Sequence, residues 1–193
     1  MKTNQLGRSM IEMLGVLAVI GVLSVGGIAG YSKAMTKYRV NKTADQIAQL
    51  AQNIRTLYAS QKNYNTLNST VIKKAHLAPE DMYDNTNSTT MYNPFGGDVY
   101  VMQQGKNYNS DNKAFVITSS RIPQEACIEL LTRDWGSSGL IAAGTMYTYM
   151  AMYGCSSSGG YYYVCANEGV MSVDKAISAC SSPTDNSIEL KFY

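Results

Sequence analysis

An uncharged stretch near the N-terminus restricts the fold of this chain more than any other feature. Twenty consecutive residues, from Met13 to Ser32, carry no charged side chain (MLGVLAVIGVLSVGGIAGYS). As a helix they would extend about 30 Å, which matches the hydrocarbon thickness of a bilayer. Lys2 and Arg8 precede the stretch, and positive charges favour the cytoplasmic side. We therefore expect a membrane-spanning helix with a cytoplasmic N-terminus and an exported remainder.

A cleaved secretory signal peptide is the alternative explanation of this stretch. Two observations favour a helix that is retained. The apolar run passes into an amphipathic pattern without a break, and the first proline of the chain is Pro79. Glu12 lies at the N-terminal end of the run, where an ionisable group is unfavourable by several kcal/mol unless it is paired. We expect residues 10–60 to form one helix and Glu12 to have a partner.

The two halves of this helix differ in their apolar pattern. In the second half, apolar residues recur at alternating spacings of four and three, as on one side of an α-helix. They are Val40, Ala44, Ile47, Ala51, Ile54 and Tyr58, with Leu50 and Leu57 widening the stripe. The first half is apolar on all sides, and a single globular domain cannot cover it. Because it requires lipid or other copies of the chain, the helix is predicted to protrude from the domain.

The residues around Glu12 carry a motif. The segment GRSMIEML, at residues 7–14, resembles the type IV prepilin signature, in which a short basic leader ends in glycine. The resemblance implies that a prepilin peptidase cleaves between Gly7 and Arg8 and methylates the new amino group of Arg8. It also implies that Glu12, the fifth residue of the mature chain, neutralises the N-terminal ammonium of a neighbouring subunit. Arg8 departs from the family pattern, where an apolar residue usually follows the glycine.

The exported part is predicted to combine short strands with short helices. Runs rich in β-branched and aromatic residues, bounded by turn formers, predict strands. They lie at Asp98–Gln103, Lys113–Thr118, Tyr161–Ala166 and Ile188–Tyr193. Capping and composition predict helices near Val71–His76, from Pro123 to about Trp135, and from Ser172 to Cys180. Leu140–Tyr153 is ambiguous between helix and strand. The expected fold is an antiparallel sheet against the amphipathic half of the long helix.

Four cysteines lie toward the C-terminus of the chain. They are Cys127, Cys155, Cys165 and Cys180. Disulfides are favoured because this part is expected outside the cytoplasm. A zinc site is disfavoured because the sequence has no Cys-x-x-Cys pair and one histidine, His76. We therefore expect neither a metal nor a cofactor.

Three pairings of these cysteines are possible. In the helix that begins at Pro123, Cys127 shares a face with Leu130 and Leu131. In the last helix, Cys180 is expected to share a face with three apolar residues, Val173, Ala176 and Ile177. Both thiols should then point inward. This favours a Cys127–Cys180 bridge and leaves Cys155 to pair with Cys165.

The exported part also resembles the type IVb pilins, the subclass of the toxin-coregulated pilin. The matching stretches are NPFG at 93–96, KAFVI at 113–117 and QEAC at 124–127, together with the late Cys180. The additional pair of cysteines and the short leader depart from that subclass. The resemblance implies an α+β pilin fold with a disulfide-closed C-terminal region. Its segments would be a leader at 1–7, a transmembrane and filament-core half-helix at 8–32, an amphipathic half-helix at 33–60 and an exported head at 61–193.

The function that this resemblance implies is that of a structural subunit. The chain would polymerise through its N-terminal helix into an extracellular type IV pilus for adhesion, aggregation, or DNA or conjugative contact. Its partners would be other copies, the prepilin peptidase, the inner-membrane assembly machinery and, as a monomer, the bacterial inner membrane. The alternatives are a minor pilin, a pseudopilin of type II secretion, or a monomeric anchored periplasmic binding domain, which would not need Glu12.

Two other classes of protein are disfavoured by the sequence. His76 has no paired nucleophile near it, and the sequence contains no Gly-rich phosphate loop or acidic metal cluster. We therefore do not expect an enzyme. The net charge is +2 and no run of Lys and Arg is present, so nucleic acid is not expected as a direct partner.

Overall fold

The computed structural model describes residues 10–84, 89–104, 112–135, 140–144, 164–167 and 170–193. The helices are α1 (Met10–Tyr58), α2 (Ser69–Lys74), α3 (Gln124–Leu131) and α4 (Val173–Ala179), with a 3-10 turn at Glu80–Met82. The strands are β1 (Met91–Tyr92), β2 (Asp98–Gln104), β3 (Ala114–Ile122), β4 (Leu140–Gly144), β5 (Val164–Asn167) and β6 (Asn186–Phe192). The predicted α+β fold, with a long N-terminal helix and an antiparallel sheet, is confirmed.

The chain divides into two compact units, with the boundary between Tyr38 and Arg39. In the first unit, every described residue up to position 34 is exposed. Two of its hydroxyls bond to the helix backbone: Ser24 donates to the Ile20 carbonyl oxygen over 2.7 Å and Thr36 to that of Ser32 over 3.2 Å. The second unit, called the head below, comprises residues 39–193 and contains a hydrophobic core whose first member is Val40.

The sheet of the head is antiparallel throughout and has the strand order β1-β2-β3-β6-β4-β5. The last strand in sequence, β6, therefore lies between β3 and β4. Leu190 of β6 is opposite Ile117 on one side and Ile141 on the other. Every residue of β6 is buried. The register of the β3–β6 pair shifts between Ser119 and Ile122, where Arg121 has a positive φ of 55°.

The core joins the amphipathic half of α1 to one face of the sheet. Alternate residues of the strands enter it, as expected for one face of a pleated sheet. They are Val99, Val101, Phe115, Ile117, Ile188, Leu190 and Phe192. The predicted stripe of α1 is buried from Val40 to Tyr58, with one error: Leu57 is 43% exposed. Gln46, a polar residue outside the predicted stripe, is buried.

Several predicted boundaries were wrong by a few residues. Helix α3 ends at Leu131, and Trp135 lies beyond it, where its indole Nε1 donates to the Leu130 carbonyl oxygen over 2.8 Å. The ambiguous stretch from Leu140 begins as strand β4. Strand β1 was not predicted, because two residues are too short to give a periodic pattern. Residues 161–163 of the predicted third strand lie outside the described part.

The predicted face of α4 was wrong. Cys180 and Ala176 are buried as expected, but Val173 is 59% exposed and Ile177 is 52% exposed. The reason is that Cys180 lies after the last helical residue, with φ −87° and ψ 64°. The direction of its side chain therefore cannot be predicted from its helical spacing to the residues before it. The buried face of the helix is formed by Ala176 and Ala179.

Candidate functional site

The first candidate surface is the part of α1 up to Tyr38, which we call the apolar segment. Its large apolar side chains from Met10 to Tyr31 are more than half exposed, including Leu17, Val22 and Ile28. Among the described helices, α1 is long and apolar enough to cross a membrane, judged by length and composition. Exposed apolar area of this extent is unfavourable in water. The segment therefore requires lipid or other apolar chains around it.

Glu12 is the acidic residue of the first described turn of α1 and is exposed. Apolar side chains flank it in sequence, with Ile11 before it and Met13 after it. Gly7 and Arg8, the predicted cleavage and methylation residues, lie outside the described residues. The roles assigned to these three residues by sequence therefore remain predictions.

A disulfide closes the C-terminal region of the head, as the predicted fold requires. It joins Cys127 of α3 to Cys180 at the end of α4, with a Cα–Cα distance of 5.9 Å and a sequence separation of 53. The Gln124 side-chain Nε2 donates to the Cys180 carbonyl oxygen over 2.9 Å. Helix α3 and the end of α4 are thus joined covalently and by a hydrogen bond. Cys155 and the side chain of Cys165 lie outside the described part, so their pairing remains a prediction.

The NPFG stretch forms a turn that is held by one buried amide. The Asn93 side-chain nitrogen donates to the Ser119 hydroxyl over 2.8 Å and to the Ser120 carbonyl oxygen over 2.7 Å. Its oxygen accepts from the backbone N–H groups of Phe95 at 2.8 Å and of Gly97 at 3.1 Å. The turn between β1 and β2 is therefore attached to the bulged part of β3.

The loop between α2 and β1 is attached to α1 by polar contacts. The Lys42 ammonium lies 2.7 Å from a carboxylate oxygen of Asp81. Its hydrogen bond to that carboxylate is the main cause that holds the pKa of Asp81 below its ordinary value. The Asn53 side chain donates to the Leu77 carbonyl oxygen over 2.7 Å. These contacts fix the loop along the amphipathic half of the helix.

A cleft lies beside the C-terminal end of α1. It has a volume of about 280 Å³ and is lined by Tyr58, Tyr64, Tyr193, Lys62, Lys113 and the amides Gln61 and Asn63. Sequence reasoning did not predict it, because its residues come from the end of a helix, a loop and two strand ends. Their proximity in space follows from the sheet order and not from any spacing along the chain.

Metal chemistry has no support in the described residues, where no group of three or more His, Cys, Asp or Glu side chains could hold an ion. The lone histidine, His76, is exposed. Its positive φ of 51° places it in the turn that follows α2. The structure therefore gives it a position in a turn.

A match to a model of a known protein family identifies the family of this chain. The model of the family named Bundlin matches residues 32–192. The chain belongs to the bundlin family. This match extends over nearly the whole head and over the end of α1 that packs on it.

Individual relatives of this bundlin-family chain extend the match to its N-terminus. The major structural subunit of the bundle-forming pilus of Escherichia coli O111:H- is 26% identical over 192 residues, which cover 100% of this chain and 95% of that protein. The toxin coregulated pilin of Vibrio cholerae is 25% identical over 152 residues, covering 78% of this chain and 63% of that protein. The resemblance to type IVb pilins is confirmed.

A solved structure has the same fold. The type IVb pilin from Salmonella typhi aligns with a TM-score of 0.55 and 18% identity, covering 79% of this chain and 98% of that one. At this level of identity the likeness concerns the fold alone. Together with the family match, it makes this protein a type IVb-like pilin.

Proposed function

We propose that this bundlin-family protein is the structural subunit of a type IV pilus and polymerises through α1 into an extracellular filament. The observation that carries the proposal is the exposure of the large apolar side chains of α1 from Met10 to Ile28. Full-length similarity to a major pilus subunit supports the same role. Burial of this segment among copies would favour assembly by roughly 25 cal/mol per Å² of apolar surface.

The proposed order of events begins at the inner membrane. The precursor holds residues 8–32 in the bilayer, with its N-terminus in the cytoplasm and residues 61–193 in the periplasm. Residues 33–60 connect the two as the amphipathic half of the helix. A prepilin peptidase removes residues 1–7, and the assembly machinery then transfers the subunit into the filament. Lys2 and Arg8 before the apolar stretch support this orientation.

Cleavage before Arg8 is tested by mass spectrometry of the N-terminus of the exported protein. A first residue of Arg8 with one added methyl group is the expected result. An N-terminus beyond Tyr31 would contradict the proposal, because the protein would then have lost the segment that assembles. An uncleaved N-terminus would contradict peptidase processing and leave a plain membrane anchor.

Glu12 is the residue that we propose to set the register between subunits. A carboxylate in an apolar filament core is unfavourable unless it is paired. The mature N-terminus, the amino group of Arg8, would supply the opposite charge from a neighbouring copy. The pair would form only when the two helices have the correct axial offset. At any other offset both charges would remain unpaired.

The test compares Glu12→Ala with Asp45→Ala. Both substitutions remove one exposed carboxylate from α1, but Asp45 lies on the part that belongs to the head. We expect Glu12→Ala to be cleaved and exported yet absent from sheared filaments, and Asp45→Ala to assemble. Normal filaments of Glu12→Ala would contradict the proposed role of Glu12 in setting the register and would favour a subunit that needs no charge pairing.

The relatives support the role of a major subunit over that of a minor pilin or pseudopilin. The match covers 95% of the length of a protein that is named as a major structural subunit. Electron microscopy with a label on this protein distinguishes these roles. Labelling along the whole filament is expected for the major subunit, whereas sparse labelling or labelling at the tip would contradict it.

A further inference from the structure

A belt of basic and aromatic side chains lies at the C-terminal end of the uncharged run of α1. It consists of Tyr31, Lys33, Tyr38 and Arg39, and we call it the basic belt. All four side chains are exposed, Tyr31 by 68% and Tyr38 by 57%. They are carried by one continuous helix. Their positions along the helix axis relative to the uncharged run therefore follow from helix geometry.

The length of the basic belt matches the headgroup layer of a bilayer. The uncharged run, as a helix, fills the hydrocarbon thickness of about 30 Å. Lys33 and Arg39 follow the run and are separated by about 9 Å along the helix axis. The polar layer on each side of a bilayer is roughly 5–8 Å deep, and long basic side chains can extend along the helix to reach it. Both cations therefore lie at the level of the lipid phosphates when the run spans the membrane.

The two cations of the basic belt have no carboxylate to pair with on their own helix. The nearest acidic residues of α1 are Glu12, which is 21 residues before Lys33, and Asp45, which is six residues after Arg39. Side chains pair along a helix at spacings of three and four residues, and not at six. Among the described residues, the side chains of Lys33 and Arg39 also have no hydrogen-bond or ion-pair partner from the head. Both charges are therefore available to a ligand.

Two further lysines increase the positive charge of this part of α1. Lys37 is exposed and already has an interaction partner, and Lys42 is paired with Asp81 at 2.7 Å. The inference uses neither side chain, although their charge adds to the local potential. Cations favour the cytoplasmic side of a membrane, so the proposed orientation does not account for a cluster on the exported side. A ligand of negative charge accounts for it.

The two tyrosines of the basic belt favour a lipid over a soluble anion. Tyr31 and Tyr38 are seven residues apart, which is about two helical turns, so they lie on the same side of α1. Tyrosine is enriched at membrane interfaces, where its ring contacts apolar groups and its hydroxyl stays in the polar layer. A soluble anion would use the cations and leave both rings in water. A lipid, with a charged headgroup and acyl chains, would use both features.

We propose that the basic belt binds anionic phospholipids, with Lys33 and Arg39 at the phosphate groups and Tyr31 and Tyr38 at the boundary with the acyl chains. Anionic lipids are preferred over zwitterionic ones, whose phosphate is already balanced by an ammonium group. Bound lipid holds the subunit at a fixed depth in the membrane before assembly. The proposal rests on the membrane stage of the proposed function and adds the class of lipid that α1 selects.

The experiment reconstitutes the full-length protein in phosphatidylcholine vesicles. Electron paramagnetic resonance then measures its relative affinity for spin-labelled phosphatidylglycerol and spin-labelled phosphatidylcholine. We expect a preference for phosphatidylglycerol of about fivefold, the contribution of one cation near a membrane surface, and a smaller preference at high salt. Lys33→Gln/Arg39→Gln should abolish the preference, whereas Lys33→Arg/Arg39→Lys, which retains both charges, should keep it. The matched control Lys74→Gln/Lys175→Gln removes two exposed lysines of the head and should also keep it.

Equal affinity of the parent for both lipids, or an unchanged preference in Lys33→Gln/Arg39→Gln, would overturn the proposal. Competition by inorganic phosphate at constant ionic strength would identify a soluble anion as the ligand, and a preference that falls as the protein-to-lipid ratio rises would identify a second copy. Either result would also overturn it.

Flotation of the vesicles tests the membrane stage separately. A protein that does not float with them contradicts that stage, whereas one that floats without a lipid preference contradicts the basic belt alone. Circular dichroism establishes that each variant is folded. Because the vesicles contain no assembly machinery, a failure of pilus formation would not alter these results.

Discussion

At the scale of single residues, Asn93 organises the turn between β1 and β2. It is buried, and its side chain uses two donors and one acceptor oxygen in four hydrogen bonds. At the level of sequence the NPFG stretch is a resemblance only, since four residues do not reveal which partners lie on a distant strand. The partners of Asn93 are 26 and 27 residues away along the chain.

The first prediction concerns this amide. We expect Asn93→Ala to lower the free energy of unfolding by about 2–4 kcal/mol, since buried groups left without partners cost about 1–3 kcal/mol each. Chemical denaturation of the full-length protein in detergent measures the change. Asn65→Ala is the control, because that exposed side chain accepts from Asn112, and should change stability by less than about 1 kcal/mol. Equal effects of the two substitutions would contradict the role of Asn93.

Two adjacent glycines of the same turn provide the second prediction. A Cβ at Gly97 would collide with the backbone carbonyl of Ser120, whereas a Cβ at Gly96 would have nothing within 4 Å. Gly96 has a positive φ of 80°, which disfavours alanine by about 1 kcal/mol. We expect Gly97→Ala to destabilise the head by roughly 3 kcal/mol or more, because backbone must move. Thermal melts that rank Gly96→Ala as the more damaging change would refute this assignment.

The Lys42–Asp81 pair provides a prediction about pH. The pKa of Asp81 is lowered from 3.8 in the folded protein, first of all by its hydrogen bond from Lys42. A lowered folded pKa means that the pair stabilises the head above pH 3.8 and ceases to do so as the pH falls through the lower value. Both side chains are more than one third exposed, so the contribution should stay below about 1 kcal/mol.

Denaturation curves of the parent and Asp81→Asn from pH 6 down to about pH 2 measure this effect. The parent should be more stable at pH 6, and the difference should shrink toward zero in acid. A double-mutant cycle with Lys42→Met isolates the pair from the other contacts of each residue. A difference that grows as the pH falls would contradict the assigned direction of the pKa.

At the scale of elements, long periodic patterns predicted more than short ones. The amphipathic stripe of α1 spans about five turns, and its repeated spacing identified the buried face with one error, Leu57. Helix α4 has seven residues, which is too few for the periodicity to place both of its ends. The direction of Cys180 depends on the non-helical backbone at its position, which a helical pattern cannot predict.

The disulfide between α3 and α4 provides the prediction at this scale. Cys127 and Cys180 are both fully buried and close a loop of 53 residues. In the chain-entropy model such a loop stabilises the folded state by about 4 kcal/mol. We expect Cys127→Ala/Cys180→Ala to lose about that amount in the free energy of unfolding, measured by denaturant. Alanine avoids placing a hydroxyl in the core, and a loss below about 1 kcal/mol would contradict the model.

At the scale of the whole molecule, the topology of the sheet was beyond sequence reasoning. The final strand, β6, lies in the middle of the sheet and is hydrogen-bonded on both sides. Its sequence alternates apolar residues with Glu189 and Lys191, which predicts one exposed face. In the structure both charged residues are buried. The alternation identified the strand and the face toward α1, while the burial of the other face depends on neighbours distant in sequence.

The two compact units lead to the last prediction. The hydrophobic core begins at Val40, so removal of residues 1–32 deletes no core residue. We therefore expect a chain of residues 33–193 to unfold cooperatively, with a free energy within about 0.5 kcal/mol of the head in the full-length protein. It should remain monomeric in analytical ultracentrifugation without detergent, because the apolar stretch that requires lipid or other copies is absent. Filaments formed by this shortened chain would show that contacts between heads suffice for assembly, and α1 would then lose its proposed role. Loss of cooperative unfolding would instead mean that the stability of the head depends on residues 1–32, although they contribute no core residue.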